Sequence, residues 1–106
     1  MVDEKVITLI KQYLAQLKLE GIVVTKAILF GSHAADDADE NSDIDLLIVS
    51  PQFDDNGDKY VGKLWKATKC SDYKIEPIGI GEIKFNTGDS SPIISAAKKY
   101  GLEIAA

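Results

Sequence analysis

The sequence is short of the residues that staple a chain or anchor it in a bilayer. One cysteine and one histidine stand among 106 residues, so no disulfide can close within the chain and the usual Cys/His zinc sites lack ligands. Lone Cys70 suits a reducing compartment. No apolar run approaches the roughly 20 residues of a membrane span. The opening MVDEKVITLIKQ mixes acids with lysines where a signal peptide carries a basic start and an apolar stretch. A cytoplasmic address, with no membrane partner, is therefore expected. Positive charge is scarce too: twelve Lys plus Arg against seventeen Asp plus Glu leave a net charge of −5. That balance argues against broad nucleic-acid binding, since coating a phosphate backbone needs surplus cations. No Gly-x-x-x-x-Gly-Lys segment offers a P-loop, and no Ser-His-Asp order can be argued.

What is present suits one folded unit spanning residues 1–106. With 45% hydrophobic and 27% charged residues, the chain can bury roughly 60–70% of its unfolded surface without disulfides or a structural metal. Val6, Leu9, Ile10, Tyr13, Leu14 and Leu17 recur at helical spacing and predict an amphipathic helix over 3–18, closed by Gly21. Strand composition marks 22–30 (IVVTKAILF) and 43–50 (DIDLLIVS), with the acidic HAADDADENS between them. Residues 51–58 read as loop. The following KYVGKLWKATK predicts a helix with Val61, Leu64, Trp65 and Thr68 on its core side and a solvated basic stripe of Lys59, Lys63 and Lys66 opposite. A third strand is expected over 72–80, where Pro77 demands a sheet edge or a broken ladder. A short turn at 82–85, a helix opened by Ser91-Pro92 and stopped by Gly101, and a final strand at Leu102–Ile104 complete the order. The fold class is α/β (α+β), a small mixed sheet flanked by helices.

Chemistry concentrates in FGSHAADDADENSDIDLLIVS, residues 30–50. Gly31-Ser32 ends a buried strand where a short helix can begin at HAAD; a glycine lets backbone approach a ligand, and free amides with a hydroxyl cradle phosphate oxygens. Ten or so residues on, Asp43 and Asp45 share a strand face, because residues i and i+2 point the same way. Two adjacent carboxylates repel unless a cation stands between them, and hard divalent ions take carboxylate and phosphate oxygens together. Either device alone is an ordinary turn or an acidic strand entrance. Together they put a phosphate cradle and a metal-chelating pair at neighbouring strand ends.

The Gly-Ser, short helix, Asp-x-Asp arrangement resembles the nucleotidyltransferases of the polymerase β superfamily, especially the minimal ones of bacteria and archaea. The resemblance implies that fold, with Gly31 and Ser32 on the nucleotide's phosphates, Asp43 and Asp45 on Mg²⁺ or Mn²⁺, and a third carboxylate on a later strand. Glu76 occupies that place, where it would share the metal and accept the proton of the attacking hydroxyl; the family's usual residue there is Asp, and Asp72 is its rival on the same strand face. His33 follows Ser32 where many relatives carry basic residues. The implied reaction moves a nucleoside monophosphate from an NTP, with ATP favoured, to a hydroxyl of another molecule. Minimal members often act as antitoxins to helical HEPN-domain toxins, which makes such a protein the implied partner. The alternative is a catalytically silent module that keeps the fold and neutralises its partner by contact.

Overall fold

The computed structural model describes residues 4–31, 43–71, 74–88 and 91–104. Helix α1 (Glu4–Leu19) places an acid in its first turn and Lys18 in its last, as the helix dipole favours, and buries Val6, Ile10, Tyr13, Leu14 and Leu17. The next residues, 22–25, lie outside the sheet, contrary to the expectation of a strand from residue 22. The Ile22 N–H donates to the Leu17 carbonyl (3.0 Å) and the Val23 N–H to Gln52 Oε1 (2.5 Å). Those donors are satisfied elsewhere, so β1 spans only Lys26–Phe30.

Then follow β2 (Ile44–Ser50), α2 (Phe53–Asn56), α3 (Asp58–Lys66), a 3-10 turn at Ala67–Ser71, β3 (Ile75–Gly81), α4 (Glu82–Thr87), α5 (Pro92–Tyr100) and β4 (Leu102–Ile104). The sheet order is β3-β2-β1-β4, with β2 parallel to β3 and β1 antiparallel to both β2 and β4. This is the expected small mixed sheet. Pro77, which can donate no ladder bond, sits in edge strand β3. Among the described residues no helix is long and apolar enough to cross a membrane.

The two faces of the sheet are unequally covered. Ala27, Leu29, Ile44, Leu46, Ile48 and Ile75 join the buried stripe of α1, together with Phe53, Leu64 and Ala67, in the larger core. On the opposite face Ile28, Leu47 and Val49 meet Phe85 of α4 and Ala97 of α5, with Phe30, Ile78 and Ile80 only partly buried.

Three local expectations are corrected. Val61 and Trp65 are 45% and 48% exposed rather than core; α3 is only nine residues long and buries a single residue, Leu64. The 51–58 segment contains a one-turn helix whose Phe53 is buried. Residues 82–85 begin a helix, because the Asp54 carboxylate of α2 accepts the Ile83 N–H at 3.1 and 3.2 Å. Asp54 thus caps α4 from another element. Gly81 makes room for it, since a Cβ there would strike the Asp54 carboxylate.

Tyr13 ties α1 to the end of α3: its buried hydroxyl donates to the Leu64 carbonyl at 2.8 Å. Burial, then the nearby Cys70 charge, pushes the phenol well above its ordinary value, so it remains a donor across the working pH range. Tyr13→Phe is expected to lower the unfolding free energy by about 1–2 kcal/mol, the cost of stranding a buried carbonyl. Urea denaturation at unchanged m value checks this, and an unshifted midpoint would show that water satisfies Leu64.

Candidate active site

Alternation along β2 sends Ile44, Leu46 and Ile48 into the larger core and leaves Asp45, Leu47 and Val49 on the thinly covered face. Asp43, exposed, lies just ahead of the strand, and half-buried Asp45 is the first residue of that face within it. Register brings two neighbours level with Asp45: Phe30 at the end of β1 and Glu76 near the start of β3. The same face at the same end of the sheet therefore holds three carboxylates. Asp43 and Asp45 both interact with Glu76 through charge and through hydrogen bonding.

Gly31 supplies the floor of this end. Its φ of 75° is one that L side chains rarely adopt. A Cβ built there would collide with Asp45 Oδ2, and the Asp45 Cγ lies 3.2 Å from that position. The chain leaving β1 can pass against the Asp45 carboxylate only as glycine.

The acids crowd one another at Glu76. Glu76 is exposed as a residue, yet its carboxyl loses enough hydration to be held above its ordinary value of 4.5; the charges of Asp43 and Asp45 and hydrogen bonds to both add to this. Carboxyl groups hydrogen-bond one another only by sharing a proton, so the cluster favours either a proton or a cation. Among the described residues no three His, Cys, Asp or Glu side chains form a ready-made metal cluster. The donor set still fits a hard divalent ion, because it consists of carboxylate oxygens alone, and such ions commonly complete their shell with phosphate oxygens and water.

Ser32, His33, Asp72 and the short helix expected at HAAD lie outside the described residues. Of the two candidates for the third acid, Glu76 is the one the register sets opposite Asp45. The lysine stripe of α3 is not brought to the acids. That helix buries Leu64 in the larger core, across the sheet; Lys63 Nζ donates to the Glu20 carbonyl at 3.4 Å, and Lys59 Nζ lies 5.8 Å from the Tyr60 ring centroid.

Two neighbours went unassigned in the sequence. Phe30 lines the site beside Asp45. Lys74 stands level with Asp43, its carbonyl accepting the Ile44 N–H at 2.8 Å. Alternation of 72, 74 and 76 was the signal for Lys74, which shares a face with Glu76.

A family model described as nucleotidyltransferase domain matches residues 7–101, a span that contains Gly31, Asp43, Asp45 and Glu76. Among solved structures the chain is similar to a candidate nucleotidyltransferase from Sulfolobus solfataricus, with a TM-score of 0.61 at 17% identity over 93% of this chain and 78% of that one. At that identity the likeness speaks to fold alone. Comparison with curated proteins finds no match.

Two stability measurements probe the geometry. A carboxyl whose folded value lies above its unfolded value favours folding at low pH and loses that contribution as pH rises through the folded value. Glu76→Gln removes the repulsive charge, so its Tm is expected to equal or exceed that of the parent at pH 7, the difference closing as pH falls below the ordinary glutamate value of about 4.3. A Tm lowered at neutral pH would mean that the charge of Glu76 is favourably paired. Gly31→Ala is expected to cost at least about 1–2 kcal/mol from its backbone alone, measured by thermal melting; a neutral effect would refute the close approach to Asp45.

Proposed function

The chain belongs to the nucleotidyltransferase domain family, and from that premise we propose that it transfers AMP from ATP to a hydroxyl of a partner protein in a reaction dependent on Mg²⁺ or Mn²⁺. The observation that carries this reading is the meeting of Asp43, Asp45 and Glu76 beside the Gly31 turn. In the step, the acceptor oxygen bonds to the α-phosphorus, the bond from that phosphorus to the oxygen bridging the β-phosphorus breaks, and pyrophosphate leaves. The hydroxyl proton passes to a carboxylate, for which Glu76, at the exposed rim, is the candidate.

Asp43 and Asp45 would hold the divalent ion, which when bound neutralises charge on the triphosphate. Asp45 is half-buried, faces the Gly31 backbone and has neighbours on both sides, so its carboxylate is the better fixed of the two. Gly31, and Ser32 after it, would present backbone and hydroxyl to phosphate oxygens. Lys74 adds a cation at the same end of the sheet. The acceptor is assigned to a helical HEPN-type toxin, with this chain as its antitoxin; resemblance to minimal nucleotidyltransferases supports that assignment.

A second reading is contact-only neutralisation. Glu76 where relatives carry Asp and His33 where many carry a basic residue favour it. Incubation with labelled ATP, Mg²⁺ and the helical partner, followed by intact-mass analysis, separates the two. An adduct of one AMP supports transfer, and neutralisation of the toxin without any adduct supports contact.

If transfer occurs, Asp43→Asn or Asp45→Asn is expected to slow it on the order of a thousandfold, equivalent to about 4 kcal/mol of lost transition-state stabilisation. Parent-like rates in either variant would remove that carboxylate from the site. Glu76→Gln is expected to lower kcat with ATP affinity nearly unchanged, because a proton acceptor acts in the reaction step more than in ground-state binding. Loss of ATP affinity with kcat preserved would instead make Glu76 a nucleotide ligand only.

A further inference from the structure

Across the sheet from the acids, α1 and the segment that follows it border a groove of about 630 Å³. Buried Leu14 and Ile22 form its floor, and Lys11, Ala15 and Lys18 line one side. These three are exposed and lie at i, i+4 and i+7, so one stripe of the helix carries a small residue between two cations set two turns, about 10 Å, apart. Apolar surface continues beyond: Val23 on the rim is 56% exposed, and Leu19, one turn past Ala15, is 82% exposed. The chain carries seventeen acids, yet among the described residues neither lysine is paired with one.

We propose that this groove docks an acidic amphipathic helix of a partner protein. Two acids seven residues apart on such a helix span the same two turns as Lys11 and Lys18, and leucine-sized residues between them meet Leu14, Ile22 and Val23. Ala15 lets the incoming backbone approach closely. A single-headed amphiphile matches one ammonium group and leaves the other in competition with water. A second copy of this chain is a poor occupant, because none of its described helices carries acids seven residues apart: α1 has only Glu4, α3 only Asp58, α4 only Glu82, and α5 none. The assignment does not depend on nucleotidyl transfer.

The test uses the full chain and a synthetic fluorescent helical peptide with Glu at two positions seven apart and Leu at the third and fourth positions after the first Glu. Fluorescence anisotropy should show binding that weakens at least tenfold in the Lys11→Glu/Lys18→Glu variant and falls as salt rises. Amide shifts in ¹⁵N spectra should centre on Ala15, Ile22 and Val23. Equal affinity for the charge-reversed variant, equal binding of a peptide with Lys in place of Glu, shifts centred elsewhere, or no binding overturns the proposal. Dodecanoate filling the groove when the peptide does not would make it a small-molecule site. Self-association abolished by the double variant would make it a dimer interface.

Discussion

Everything at the acidic end depends on the register of β2 with its two neighbours. Asp45 faces Phe30 on one side and Glu76 on the other, and a slip of one residue in the β2–β3 pairing would turn Glu76 to the opposite face. The slip is resisted by burial. Ile44, Leu46 and Ile48 are almost wholly enclosed, as is Ile75 of β3, and moving any of them to the thin face would expose apolar surface worth about 1.5–3 kcal/mol per side chain. The larger core thus fixes the position of carboxylates that it does not touch.

This division of labour explains how a small domain tolerates three interacting acids. Among the described residues the face under α1 supplies most of the buried apolar area, while the opposite face is closed by Phe85 and Ala97 over Ile28, Leu47 and Val49, and Asp45 is half-buried at its end. The cost of the crowding shows at Glu76, whose carboxyl is held above its ordinary value by lost hydration and then by the charges of Asp43 and Asp45. All twelve of its Lys-plus-Arg residues are lysines, so the chain has no guanidinium with which to grip an anion by a bidentate fork.

Local pattern made part of this legible. The stripe of α1, the Asp-x-Asp entrance to β2 and the edge position demanded by Pro77 are written in short-range spacing, and the mixed sheet follows from the order of elements. Long-range partners were not legible in the same way. Residues 22–24 have strand composition, but Leu17 and Gln52 take two of their N–H groups. The start of α4 has no cap of its own, because its cap is Asp54, 29 residues before Ile83. Helical spacing placed Val61 and Trp65 on one stripe, yet spacing cannot say whether anything covers that stripe. Glu76 stood out through resemblance to relatives; that it faces Asp45 is a matter of strand pairing, which no local signal encodes.

On the proposed function, Asp43, Asp45 and Glu76 gather a divalent ion and a triphosphate at the Gly31 turn. Paramagnetic broadening tests it without any acceptor: Mn²⁺ is titrated into ¹⁵N-labelled protein holding a non-hydrolysable ATP analogue. The account predicts that the amides of Gly31, Asp43, Asp45 and Glu76 broaden first, while those of Ala15 and Lys18 on the far face of the sheet persist. Broadening centred elsewhere, or uniform across both faces, would contradict it.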